Sequence, residues 1–332
     1  MALALVLMAA CSPGTARSSV RVAVSPPSTT VAASPPSTSV AASSSTAASS
    51  PTAATTAPTP AGPCGGPGLA PARYDHVVWI WMENHSVSAV LGPRAPTPFE
   101  KDLAARCGSG TNYHSVGSPS LPNYLGATSG SSQGVHDDAS PSTHPIDADN
   151  LFRQVRAAQQ SARSYEEAMT QNCQPRPSGR YAVKHNPQAY YVGADDPAAC
   201  QRDDVPLGSL TGGALVDDLD RGQLPAFSFI TPDLCDDTHD CGVDVGDAWL
   251  RQWVGRILDS AVYKAGRTAV FVVWDEPTPM PVLVVSPTTP RGVSSTAPFD
   301  HYSLLHTTEE LLGLPYLGQA ATATSMRSAF GL

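Results

Sequence analysis

The sequence predicts an α/β fold with a central, mainly parallel β-sheet covered by helices on both faces. Short apolar runs rich in β-branched and aromatic residues, each bounded by polar turns, read as buried strands. Helical patterns separate these runs, and strands that alternate with helices build parallel sheets covered on both sides. Acidic residues stand directly behind three of the runs, at the carboxyl ends of parallel strands, where such sheets place their ligands.

In chain order, His76-Val77-Val78-Trp79-Ile80-Trp81-Met82 reads as the first strand, and a helical pattern covers about residues 97–106. Pro119 disfavours helix before it and Pro122 suits a first helical turn. A helix is therefore expected from the neighbourhood of Ser120 through Tyr124 to about Thr128, with Ser120 at or near its N-cap. Helical patterns at about 148–160 and 209–221 lead to a second strand, Ala226-Phe227-Ser228-Phe229-Ile230. A long pattern at about 246–264 precedes the strands Ala269–Trp274 and Val282–Val285, and a last one covers about 301–313.

The chain has 332 residues, 41% of them hydrophobic, enough for a substantial core. Residues 12–66 differ from the rest. They are almost wholly Ser, Thr, Ala, Pro, Val and Gly, with Arg17 and Arg21 the charged exceptions. Such a stretch buries too little apolar surface to offset chain entropy and reads as a disordered tether ahead of a folded domain at 67–332. Residues 1–11 are apolar, and Met8-Ala9-Ala10-Cys11 resembles a bacterial lipobox with its lipidated cysteine. The alternative is an ordinary secretory segment, and both readings send the protein outside the cytoplasm. No later run reaches the ~20 apolar residues of a membrane-spanning helix, so membrane attachment is expected through lipid only. With 29 acidic against 20 basic residues and a net charge of −9, non-specific nucleic-acid binding is excluded.

Cysteine usage agrees with export. Apart from Cys11 there are Cys64, Cys107, Cys173, Cys200, Cys235 and Cys241, an even set that suggests disulfides. Cys235 and Cys241 are near enough to close a small loop, and Cys173 with Cys200 can staple a longer one, which leaves Cys64 and Cys107. Other pairings remain open, and so does a zinc site, which the lack of a Cys-x-x-Cys pair disfavours.

The chemistry gathers at the strand ends. Glu83 and Asn84 follow the first strand, Pro232 and Asp233 the second, and Asp275 and Glu276 the third. Acidic residues favour strand-to-helix turns in any case. Three such turns beside a candidate nucleophile shift the balance toward function. Ser120 can be a plain helix cap, yet a helix start also offers free N–H groups to a phosphate. A serine hydroxyl is a poor nucleophile, and no adjacent histidine base is evident. Activation by a divalent cation is the economical solution, with Glu83, Asp275 and Glu276 as anionic oxygen ligands and Asn84 as a neutral one.

Several segments carry a resemblance: Met82-Glu83-Asn84-His85-Ser86, Ser118-Pro119-Ser120-Leu121-Pro122-Asn123-Tyr124, Lys184-His185-Asn186-Pro187, Cys235 to Trp249, and Trp274-Asp275-Glu276. With Phe299 to Leu305 and Glu309 to Pro315, they run in order from about residue 74 to the C-terminus. Together they resemble the bacterial phosphoesterase family that contains acid phosphatases and phospholipases C. The resemblance implies an alkaline phosphatase-like fold and a metal-bound seryl nucleophile. It matches Ser120 to the nucleophile, Glu83, Asn84, Asp275 and Glu276 to metal ligands, and Asn123 to a phosphate donor. It also places His239, with Asp237 nearby, and His301 among further metal or phosphate contacts. Lys184 with His185 reads either as a contact to substrate phosphate or as a basic surface pair. Asp247 is either part of this set or a helix-start residue. One departure is the short Pro277-to-Pro281 link after Glu276, where relatives commonly carry a longer glycine-containing loop. It implies a shortened rim and touches substrate access more than reaction class.

The expected function is metal-dependent hydrolysis of phosphate esters through a phosphoseryl intermediate, most simply by a phosphomonoesterase of acid phosphatase type. Its partners would be a small phosphate ester or a phospholipid headgroup, and its cofactor a divalent cation of open identity. A phospholipase C-like phosphodiesterase is the enzymatic rival, disfavoured by a compact catalytic portion with no large apolar lid segment. A tethered lipoprotein that binds a metal or phosphorylated ligand without turnover is the non-enzymatic one, disfavoured by the full set of acidic residues beside Ser120.

Overall fold

A computed structural model describes residues 62–66 and 68–332. The expected signal segment (1–11) and nearly all of the expected tether lie outside the described residues. The strands are β1 (His76–Met82), β2 (Gly108–His114), β3 (Ala162–Glu166), β4 (Asp204–Pro206), β5 (Phe227–Thr231), β6 (Thr268–Trp274), β7 (Met280–Val285), β8 (Val293–Ser295) and β9 (Phe299–Asp300). They form one sheet in the order β4-β3-β5-β1-β6-β7-β2-β8, with β9 beside β2. All pairings are parallel except those of β7, which runs antiparallel to β6 and β2.

The runs read from sequence as strands are β1, β5, β6 and β7, which lie together at the middle of the sheet. Every residue of β5, β6 and β7 is buried, and so is all of β1 beyond His76. Strands covered on both faces need continuous apolar sequence, which is why these four are legible. β2 carries no such run. Its glycines answer to close packing: a Cβ at Gly110 would stand 2.7 Å from Val282 Cγ1, and one at Gly108 2.8 Å from Phe330 Cδ1.

Helices at Pro98–Arg106, Leu151–Ala157, Ala214–Asp220, Val243–Asp259 and His301–Leu312 occupy the expected stretches. The long 246–264 pattern is interrupted at Ser260, whose extended backbone and hydroxyl cap a separate Ala261–Lys264 helix. The Ser120–Ser129 helix begins with Ser120 as its first residue, one position inside the expected cap.

Three disulfides, Cys64–Cys107, Cys173–Cys200 and Cys235–Cys241, use all six cysteines among the described residues and leave none of these for zinc. The first corrects the domain boundary. Cys64 is fully buried, and Gly65 and Gly66 donate main-chain hydrogen bonds to Thr289 and Pro287 at 2.8 Å. The folded domain therefore includes Cys64–Gly66, which composition assigns to the tether. Among the described residues no helix is long and apolar enough to cross a membrane.

Candidate active site

β1 and β6 end level with one another, because Met82 pairs with Trp274. Glu83 and Asp275 thus leave the sheet side by side, and the Asp275 N–H donates to the Met82 carbonyl at 3.1 Å. Asn84 turns the chain with φ 60°, a left-handed conformation that asparagine tolerates better than most residues. The turn aims its N–H at Asp275 Oδ1 (3.0 Å), which also accepts from the Glu276 N–H (2.7 Å).

Ser120 arrives from β2. The loop after His114 is shaped by Asn123, whose Oδ1 accepts from the N–H groups of Val116 (2.9 Å) and Gly117 (2.8 Å) while its Nδ2 donates to the Pro119 carbonyl (3.3 Å). Ser120 is 2% exposed, and its hydroxyl donates to Glu83 Oε2 at 3.1 Å. Tyr124 lies four residues on, on the same helix face, and its hydroxyl donates to Glu83 Oε1 at 2.5 Å.

The disulfide-closed loop after β5 completes the cluster. Glu83 donates its N–H to the Asp237 carbonyl (2.8 Å) and accepts the Thr238 hydroxyl at its own carbonyl (2.7 Å). Asp237 Oδ1 accepts from the His239 N–H at 2.7 Å. His185 stacks on Tyr124 with ring centroids 5.3 Å apart. Its Nε2 is 3.2 Å from Glu83 Oε1, and its Nδ1 is 3.1 Å from Asp237 Oδ2. These atoms are close without being aligned as hydrogen bonds: His185 Nε2, Asp237 Oδ2 and Asp275 Oδ2 are buried with no hydrogen-bond partner.

Burial, reinforced by Asp275 and Asp237, pushes the Glu83 carboxyl well above the usual range. Burial also pushes Asp237 up to about 8 and Asp275 up to about 6. It holds His185 well below its usual range, helped by Lys184 and His239, so the imidazole stays neutral with a lone pair free. Lys184 is paired with Asp138 at 2.9 Å. Buried carboxylates crowded together, with orphaned oxygens and a neutral imidazole beside them, have the donor chemistry of a divalent cation site. Glu83, His185 and His239 each offer a ligand atom within 4.8 Å of the others.

Of the residues singled out from sequence, Glu83, Ser120, Asp237, His185, His239 and Asp275 meet here, with Lys184 alongside, 3.3 Å from His239 Nε2. Asn84 and Glu276 flank the cluster. They give main-chain N–H groups to Asp275, and their side chains make no hydrogen bond among the described residues.

His301 requires correction as a metal or phosphate contact. Its Nε2 donates to the Asp275 carbonyl (2.9 Å), so its Nδ1 accepts the Tyr113 hydroxyl (3.0 Å), and no ring nitrogen is free. Burial lowers its pKa to about 4. It is a positioning residue behind the Asp275 turn. Asn123, fully buried and engaged with the loop backbone, likewise shapes the approach to Ser120 in place of standing bare as a phosphate donor. Asp233 closes its own turn by accepting from the N–H groups of Cys235 and Asp236, so it is Asp237 from this loop that reaches the site. Asp247 caps a helix, though not its own: its carboxylate accepts from Phe99 and Glu100 at the start of the Pro98–Arg106 helix.

Sequence reasoning missed Tyr124 and Asp138. The four-residue spacing from Ser120 is the signal that places the Tyr124 hydroxyl over the same carboxylate. Asp138 has no local signal. It accepts from the Leu121 N–H (3.0 Å) and from Lys184 only because a distant loop folds back.

Comparison with known proteins agrees with this geometry. A model of the Phosphoesterase family matches residues 81–279, a span that holds every member of the buried cluster. The chain is 27% identical over 275 residues to a phosphatidylinositol-3-phosphatase of Mycobacterium tuberculosis, covering 78% of this chain and 83% of that protein. It is 27% identical over 267 residues to a phosphate-repressible acid phosphatase of Penicillium chrysogenum, covering 74% of this chain and 61% of the fungal protein. In fold it is similar to a protein in the alkaline phosphatase superfamily from Vibrio parahaemolyticus, with TM-score 0.51, 13% identity, and coverage of 78% of this chain and 72% of that one. With a family match over residues 81–279, most of the folded domain, the chain belongs to the Phosphoesterase family and is a phosphate-ester hydrolase.

Proposed function

We propose that this protein is an exported phosphomonoesterase of acid phosphatase type that works through a phosphoseryl intermediate on Ser120. The observation that carries the reading is the Ser120 hydroxyl, at the start of a helix, donating to Glu83 inside a cluster of buried carboxylates. Glu83 orients the serine oxygen, and Tyr124 fixes Glu83 through its other oxygen. Ser120 attacks phosphorus in line with the departing alcohol, and water later releases phosphate from the serine. Lys184 and the positive start of the Ser120–Ser129 helix hold the phosphoryl oxygens as charge builds on them. Glu83, His185, Asp237, His239 and Asp275 would hold a divalent cation, with Asn84 and Glu276 at the rim. Such a cation would offset the buried negative charge and make the serine hydroxyl more acidic.

Two named relatives, both phosphatases, support monoester chemistry over a phospholipase C-like diesterase. The three disulfides support export. Attachment through a lipidated Cys11 and a tether rests on residues outside those the structure describes. Ser120→Ala tests the mechanism: it is expected to abolish turnover of a phosphomonoester while the protein stays folded and retains its metal. Unchanged turnover would exclude Ser120 as nucleophile. Turnover of a monoester, a diester and phosphatidylcholine by the parent enzyme separates the two esterase readings.

A further inference from the structure

Asp138 stands apart from the buried carboxylates. Its side chain is 26% exposed, and with Lys184, His239, Tyr181, Val183 and Leu234 it lines a cavity of about 350 Å³. One of its oxygens accepts from Leu121 N–H, the amide directly after Ser120 at the positive start of a helix. The other accepts from Lys184. The first N–H groups of a helix and a lysine are the features that draw a phosphate in, and here both are already partly offset by the protein's own carboxylate.

We propose that Asp138 tunes the charge preference of this site, weakening its hold on doubly ionised phosphate esters relative to singly ionised ones. The inference rests on Ser120 being the phosphoryl acceptor. A phosphoryl group bound at Ser120 lies beside the Leu121 amide, and so beside the Asp138 carboxylate. Every negative charge the substrate carries is repelled by the Asp138 carboxylate, which also holds Lys184 in an ion pair at 2.9 Å, so a doubly ionised group meets about twice the repulsion of a singly ionised one whatever else the site supplies. A full charge a few ångströms away at a part-exposed site disfavours the second ionisation by about tenfold in affinity. Monoesters lose their second proton at about pH 6, so the Asp138 penalty on them grows above that pH. The other titratable groups around Asp138 are its partner Lys184 and His239, which line the same cavity, Glu83 and Asp275 beyond Lys184, Asp137 with His144 and His136 on the same loop, and the Tyr190 hydroxyl. None of them replaces Asp138 at the Leu121 amide.

Asp138→Asn keeps an acceptor for the Leu121 N–H and removes the charge, which separates charge selection from helix capping. The probes are two competitive inhibitors measured against the same substrate at about pH 8: phenylphosphonate, doubly charged, and its monomethyl ester, singly charged. In the variant, both inhibition constants are expected to fall, that of phenylphosphonate by about tenfold more than that of the ester, because the dianion carries twice the charge past the same position. Equal shifts for the two, or no shift in either, would overturn the proposal. Asp138→Ser serves the same contrast if the asparagine variant does not fold. Calorimetric binding of both inhibitors to Ser120→Ala keeps the questions apart: residual turnover there defeats the nucleophile assignment, whereas loss of the affinity contrast on adding Asp138→Asn concerns Asp138 alone.

Discussion

Glu100 gives the sharpest test of how buried charge shapes this protein's stability. It lies in the first turn of the Pro98–Arg106 helix, 1% exposed, with Oε2 lacking any partner. Burial, with Asp247 beside it, pushes its carboxyl from 4.5 up to about 9. The folded protein therefore keeps a proton that the unfolded chain has already released across that window. Stability then falls as pH rises, because the folded state binds more protons than the unfolded one. At about 1.4 kcal/mol per unit, the loss reaches about 3 kcal/mol by neutrality and is on the order of 6 kcal/mol over the full window. Glu100→Gln keeps the shape and cannot ionise. Urea unfolding of both proteins, disulfides intact, at several values between about pH 5 and 8.5 gives their difference in stability against pH. Glu83, Asp237 and the other buried acids also lose stability on this side, and they cancel in that difference. The variant is expected to gain steadily on the parent by about 3 kcal/mol between acid and neutral pH. A difference that does not change with pH would refute the reasoning.

Asp275→Asn removes a buried carboxylate whose Oδ2 has no protein partner, and it is expected to lower metal content and turnover together. Metal analysis beside steady-state rates checks this, and a variant that keeps both removes Asp275 from the ligand set. Cys235→Ser with Cys241→Ser opens the short loop that carries Asp237 and His239. Loop-closure entropy gives a cost of about 2 kcal/mol, while loss of turnover is expected to be far larger because the loop holds two members of the cluster. Thermal unfolding and activity measured on the same sample decide it, and full activity in the reduced loop would show that the bridge does not position the site.

The parts of the fold visible in the sequence are those with a local cause. β1, β5, β6 and β7 are legible because both faces are covered, which forces continuous apolar runs. β2 is not, because its glycines are dictated by Val282 and Phe330, which no local pattern reveals. The long helix pattern hides its break at Ser260, since a serine inside such a pattern reads equally as a tolerated residue or a cap. At the site, Ser120, Glu83 and Asp275 are readable from the prolines and from their positions behind strand runs. His301 is misread because a histidine at a helix start shows nothing of which groups occupy its two nitrogens.

By itself, then, the sequence determined a parallel α/β sheet, a serine at a helix start and acidic residues at one sheet edge, because each follows from neighbours a few positions away. Tertiary structure alone decided that Met82 and Trp274 end level, so that Glu83 and Asp275 become neighbours. It also decided that His185 and Asp237 close over them with orphaned atoms, and that Asp138 returns to the amide beside Ser120. These are matters of register, burial and loop return. They arise from contacts between residues far apart in the chain, where the free energy of a charge depends on what surrounds it in space and not on what precedes it in sequence.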